Sequence, residues 1–151
     1  MIKIICIGKL KEKYLKEAEQ EYLKRINKYI KIEIIELEDE KDDNIQNALS
    51  KEKDKILKHI KPKDNIILLD INGKELNSIE LSNYIDKEIT YNNNIVFLIG
   101  SSNGLSKEIK KLTSKKLSFS KLTFPHQLFR ILLLEQIYRS YKILNNESYH
   151  K

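Results

Sequence analysis

The stretch "LTFPHQLFR", Leu122–Arg130, sets a proline, an imidazole, an amide and a guanidinium within a few residues of one another. His126 can exchange a proton near neutral pH. Arg130 can hold a developing negative charge. The run behind them, "ILLLEQIYRSYKIL", is apolar on nearly every side and adds a second cation, Arg139. A purely structural helix has no need of such a polar opening. Two other stretches have the make-up of a small-molecule site. "FLIGSSNGL" (97–105) and "LSFSKLTF" (117–124) are small polar loops with apolar neighbours. Their exposed backbone N–H and C=O groups can hydrogen-bond a flat heterocycle such as adenine, in a slot with apolar walls. The bland alternative is a pair of surface turns.

The elements that must position these residues follow from periodicity. Strands are expected at 2–8, 30–38, 65–71, 94–100 and 116–120, the third closed by the turn "NGK". Helices are expected at 10–29, 44–61, 78–91, 106–115 and 126–144. Ser78 and Ser106 are the candidate N-caps. The alternation predicts a single α/β domain over 1–151, a parallel sheet with helices on both faces. Runs such as "IICI" and "IVFLI" fit strands buried on both sides. In such sheets ligands sit beyond the carboxyl ends of the strands. The four glycines, Gly8, Gly73, Gly100 and Gly104, all fall at or just past those ends. That clustering points to close backbone approach to a ligand.

Several classes drop out. The phosphate-loop pattern G-x-x-x-x-G-K-[ST] is absent. "CIGKLKEKY" offers one glycine where a dinucleotide fold needs three. Asp70, Ser101, Ser102 and Lys121 imitate a phospho-acceptor receiver, but the first strand ends in Cys6, Ile7 and Gly8, with no acidic pair for magnesium. One cysteine allows neither a disulfide nor a zinc cluster, and Cys6 reads as a small buried apolar residue. No metal and no membrane are expected, and the start is apolar for too short a stretch to be a signal peptide. The location expected is the cytoplasm. The net charge is +6, unevenly placed. Ser106–Lys151 holds ten Lys/Arg against three Asp/Glu, and Met1–Leu105 holds 18 against 19. That asymmetry suggests a polyanionic partner such as nucleic acid. A solvated lysine-rich surface is the competing reading.

"FLIGSSNGL", "LSFSKLTFPHQLFRILLLEQIYRSYKI", the terminal "YHK" and the opening "IKIICIGKLKEKYLKEAEQEYLKRI" closely resemble the RlmH-type (YbeA) family of SPOUT methyltransferases. The resemblance covers the whole chain. It implies a homodimer with a C-terminal trefoil knot that uses S-adenosylmethionine. It further implies methylation of N3 of a pseudouridine in helix 69 of 23S rRNA, on the assembled ribosome. By this resemblance Leu69, Gly100 and the run Phe119, Ser120, Lys121, Leu122, Thr123 and Phe124 contact the cofactor. The family usually has a second glycine where this chain has Ser101. The tail residues Tyr149, His150 and Lys151 would close over the substrate. A knot and a dimer partner would bury the last helix and so account for its apolar circumference.

N3 of pseudouridine is a weakly acidic imide and attacks well once its proton leaves. The site must orient N3 and handle that proton. Arg130 or Arg139 could stabilise the anion on the base. His126 or His150 could accept the proton, as could water. Helix capping is the competing role for His126, and an i, i+4 pair with Glu135 the competing role for Arg139. Two other readings stand beside this one: the same enzyme class acting on another RNA nucleotide, and a ribosome-binding module without catalysis.

Overall fold

The β-branched runs form the strands expected of them. The computed structural model describes Met1–Lys151. In chain order the elements are β1 (Ile2–Ile7), α1 (Lys13–Ile26), β2 (Ile32–Leu37), α2 (Ile45–Leu57), β3 (Ile66–Glu75), α3 (Ser78–Asn92), β4 (Ile95–Ile99), α4 (Lys107–Lys110), β5 (Lys116–Ser118) and α5 (His126–Leu144). The strand order is β2-β1-β4-β3-β5, with every adjacent pair parallel. Alternate side chains go to opposite layers, as the pleat requires. Ile4, Cys6, Phe97 and Ile99 join α1, α3 and α5 in the larger core. Ile5, Ile7, Val96 and Leu98 meet Ile56 of α2 and Ile109 of α4 in the smaller one. Cys6 is the buried apolar filler expected, and burial pushes its thiol up to about 12.

Three local expectations change. β3 does not turn at Asn72-Gly73-Lys74. It runs on to Glu75, and its register against β5 shifts between Leu69 and Lys74. A Cβ on Gly73 would stand 2.6 Å from the Leu117 carbonyl carbon, so glycine is there to let β5 cross. The N-cap of α3 is Asn77, not Ser78. Asn77 and Glu80 exchange side-chain and backbone hydrogen bonds as a capping box, both at 2.8 Å. Ser78 instead donates to Gln136 of α5 at 2.8 Å. Ser106 does cap α4, but that helix ends at Lys110 and β5 ends at Ser118.

α5 packs between α1 and α3. Leu133, Leu134 and Ile137 are fully buried within one chain, and Ile131 and Tyr138 nearly so. Its apolar circumference is therefore largely used up inside the subunit. Arg130 is 1% exposed. Its Nη1 donates to Glu36 at 2.7 Å and to Glu19 at 3.0 Å. Its Nη2 donates to the Gly8 carbonyl at 2.7 Å, while Nε is buried without a partner. The expectation that Arg130 faces a reacting base is corrected here. The guanidinium is consumed by the fold.

Removing one member of a buried ion pair strands the others. Arg130→Met keeps the apolar stem and leaves Glu19 and Glu36 without their cation. Urea titration should show a loss of about 3 kcal/mol, and the thermal midpoint should drop by roughly 10 °C. A loss below about 1 kcal/mol would mean that exposed Glu36 and water already compensate.

Candidate active site

A cleft of about 450 Å³ opens at the carboxyl ends of β3, β4 and β5. Of the expected contact residues, Leu69, Gly100, Phe119, Ser120, Leu122, Thr123 and Phe124 line it, and Lys121 does not. Lys121 is exposed. The first wall is the loop after β4. Gly104 N donates to Ser101 O at 2.8 Å and closes it. A Cβ on Gly100 would meet Gly104 O at 2.5 Å. Gly104 itself has a φ of +79° and open space above it. The glycines thus approach other parts of the chain. Gly8, at a φ of +105°, packs on the His126 ring in the same way.

Ser101 is absent from the residues with positive φ, so a side chain is no strain there. Its hydroxyl donates to Glu52 of α2 at 3.0 Å and accepts from Asn103 N at 3.3 Å. Glu52 is 2% exposed, and its second oxygen accepts from Glu40 N at 3.2 Å. The cleft wall is therefore tied to the helix behind the sheet.

The second wall follows β5. Ser118 donates to Ser120 O at 2.9 Å, and Leu122 N donates to Ser120 Oγ at 3.0 Å. Phe119 packs edge-on against Phe129, with centroids 5.1 Å apart, and Phe124 stacks on the same ring at 6.3 Å. Asp70 and Lys110 also line the cleft, 3.4 Å apart. Burial pushes the Asp70 carboxyl up, but the Asn72 amide and Lys110 outweigh it and hold the carboxyl below the usual range. In the sequence Asp70 stood out only as part of the rejected receiver pattern and Lys110 not at all, because their pairing depends on the fold.

His126 lines the cleft and makes no capping hydrogen bond. The N-cap is Pro125. Gln127 accepts from Lys11 N at 3.0 Å, which fastens the first turn of α5 to the loop after β1. The tail gathers elsewhere. A second cavity, about 580 Å³, shares Phe119 and Phe124 with the cleft and includes Leu132 and His150. Arg139 makes the i, i+4 pair with Glu135, through Nη2 at 2.6 Å and Nε at 3.0 Å. Its Nη1 lies 3.2 Å from His150 Nδ1 and its guanidinium 4.7 Å from the centre of the Tyr149 ring. Since arginine only donates, Nδ1 is the acceptor and the ring proton sits on Nε2.

Tyr149 is not free to stack on a base. Its ring lies edge-on to Tyr138 at 4.9 Å, and its hydroxyl donates to Glu135 at 3.1 Å. Burial, then Glu135, pushes the phenol up to about 12. Glu147 accepts from Lys142 at 2.6 Å and from Tyr29 at 2.9 Å. The tail is docked through Glu147 and Tyr149, while His150 and Lys151 are exposed. No group of three or more His, Cys, Asp or Glu could hold a metal ion, and no helix is long and apolar enough to cross a membrane.

The cleft is thus a slot between a loop that carries two glycines and a loop that carries two serines, beyond the ends of a parallel sheet. The family model described as predicted SPOUT methyltransferase matches residues 1–150, and the chain belongs to that family. Its relatives narrow the comparison. The "Ribosomal RNA large subunit methyltransferase H" of Caldicellulosiruptor bescii is 54% identical, with 100% of both chains covered. The proteins of the same name from Clostridium tetani and Clostridium novyi are 54% and 53% identical, with 99% of each chain covered.

Ser101→Ala would leave one oxygen of a buried carboxylate without its donor, at a cost of about 1–3 kcal/mol. A double-mutant cycle with Glu52→Gln, read by urea denaturation, should return a coupling of about 1 kcal/mol. Strictly additive losses would show the hydrogen bond to be idle.

Proposed function

We propose that this chain transfers a methyl group from S-adenosylmethionine to N3 of a pseudouridine in helix 69 of 23S rRNA, on the assembled ribosome in the cytoplasm. The observation that carries the reading is the shared wall. Phe119 and Phe124 divide the cleft from the cavity that holds His150. Two ligands placed on either side of those rings would meet edge to edge. The names of the relatives supply the RNA class. The C-terminal trefoil threading of the family is carried as part of this reading.

The cleft fits the cofactor. Its volume suits a nucleoside-sized ligand, and its apolar walls end in backbone polar groups. When bound, the cofactor supplies an electrophilic methyl on a sulfonium. Leu69 and Phe119 would flank the adenine, and the backbones of Gly100, Ser120, Leu122, Thr123 and Phe124 would satisfy its edge. Asp70 and Lys110 offer opposite charges to the amino-acid end. Lys121 keeps no contact in this assignment.

On the substrate side, His150 changes role. With Nδ1 facing Arg139, the ring presents Nε2–H and acts as a donor. It would steady the negative charge that gathers on a carbonyl oxygen of the base as N3 loses its proton. Arg139 would hold His150 in that tautomer, and Tyr149 would hold Arg139 in place. His126, on the cleft side, is the titratable group left to take the proton, directly or through water.

Purified protein, labelled S-adenosylmethionine and assembled ribosomes from cells lacking the enzyme test this reading. Label should appear at one nucleotide of helix 69. Gly100→Val should weaken cofactor binding at least tenfold by calorimetry, because a branched side chain meets Gly104 O. His150→Ala should bind cofactor normally and lose at least an order of magnitude in transfer rate, which is roughly 1.4 kcal/mol of transition-state stabilisation. No label on the RNA would sink the activity, and unchanged transfer by His150→Ala would remove the tail from it.

A second copy of the chain is the partner we propose for the apolar surface that one subunit leaves open. Ile79 is 52% exposed and Leu128 40%. Leu132 is part of the second cavity and partly open. Sedimentation at low micromolar concentration should give about twice the 17.9 kDa chain mass, the outcome of the common two-fold arrangement. A persistent monomer would contradict it.

A further inference from the structure

The basic excess of the last third divides once its partners are known. Lys110, Lys115, Arg130, Arg139 and Lys142 each have a carboxylate within ion-pair reach. Lys107, Lys111, Lys116, Lys121 and Lys151 appear in no ion pair. Four of those five fall in one strip, Ser106–Lys121, where six lysines face a single acid, Glu108. The strip is α4, the sheet-edge strand β5 and the start of the second cleft wall. The neighbouring strand β3 does not neutralise it. Asp70 is taken by Lys110, and the exposed Glu75 is balanced by the exposed Lys74 beside it.

Unpaired like charges at this density repel one another and oppose folding. Over Met1–Leu105 this chain matches its cations with acids in number, 18 against 19. Along this edge it leaves them free, on segments whose other residues (Lys110, Ser118 and Ser120) line the cleft. Exposed apolar groups interleave with them: Leu112 is 45% exposed and Leu122 70%. Lysine binds phosphate as a mobile point charge and needs no fixed fork, so exposed stems suit a bent single strand.

We infer that the α4–β5 edge is the surface that holds RNA phosphates, with Lys107, Lys111, Lys116 and Lys121 contacting the backbone on either side of the target nucleotide. The inference rests on the RNA-methylating reading above. Sequence-independent phosphate contact at the rim would deliver the target to the cleft and leave its identification to the groups inside.

The test is the variant Lys107→Gln/Lys111→Gln/Lys116→Gln, with Lys121 left alone because its neighbours Ser120 and Leu122 line the cleft. A control, Lys58→Gln/Lys61→Gln/Lys63→Gln, removes the same charge ahead of β3, at the opposite end of the sheet. Affinity for assembled ribosomes and for protein-free large-subunit RNA is measured across a salt series, alongside cofactor affinity and the transfer rate at saturating ribosomes. The edge variant should bind RNA at least tenfold more weakly, and its salt slope should be shallower by roughly 2, from about 0.7–0.9 per lost phosphate contact. Cofactor affinity and the saturated rate should match wild type, and the control should match wild type throughout. An unchanged slope in the edge variant, or an equal fall in both variants, overturns the inference. A wild type that binds RNA but transfers no methyl rejects the catalytic reading and leaves the edge to be judged by its slope. A wild type with no RNA affinity rejects both.

Discussion

One buried guanidinium holds the architecture of the site. Arg130 gathers β1, α1, β2 and α5 at a single point, through the Gly8 carbonyl, Glu19 and Glu36. Glu36 also accepts from Leu10 N at 3.2 Å, so the loop after β1 is pinned twice. Burying these charges carries a desolvation penalty that an apolar trio of the same volume would avoid. Hydrophobic contact has no direction, however. The ion network fixes how deeply and at what rotation the first turn of α5 enters the fold. That rotation lays the His126 ring on Gly8 and turns it toward the cleft. The orphaned Nε of Arg130 shows that the arrangement is not optimised for stability alone.

The same economy governs the two walls. Each is a short loop with little apolar burial of its own, and each is held from outside. Glu52 of α2 accepts from Ser101 in the loop beyond β4, and Phe129 of α5 supports Phe119 and Phe124. Backbone groups facing the cleft are therefore fixed in part by Glu52, which does not touch it, and by Phe129 at its base. Preorganisation of this kind lets backbone amides discriminate without flexible side chains.

The periodic features were legible in the sequence. Five strands, the long helices and the bounds of α5 follow from β-branched runs and helical spacing. The failures share a cause. Glu19 and Glu36 lie 111 and 94 residues from Arg130, so its partners left no local trace, and a buried clamp looked like a reactive cation. "NGK" carries every mark of a turn, but β5 pairing beside it keeps the chain extended. Asn77 and Ser78 are both good caps in adjacent positions, and only the contact of Ser78 with Gln136 decides between them. The tail read as a segment closing over the substrate, and Tyr138 gives no sign in sequence that it will receive Tyr149. Glu135–Arg139 was visible, since i, i+4 spacing is local.

The strand order also dictates a timetable. β4 lies between β1 and β3, yet it is made after both. Until it emerges, β1 can pair only with β2, and β3 has no neighbour at all. Two apolar strands then wait with open hydrogen-bonding edges, the condition under which chains pair with the wrong partner. The central strand closes both edges at once, and only then can β5 and α5 find their seats. Folding is thus gated by contacts distant in the chain, which slows it. A nascent chain that pauses before Ile95 is the form of this protein most exposed to aggregation.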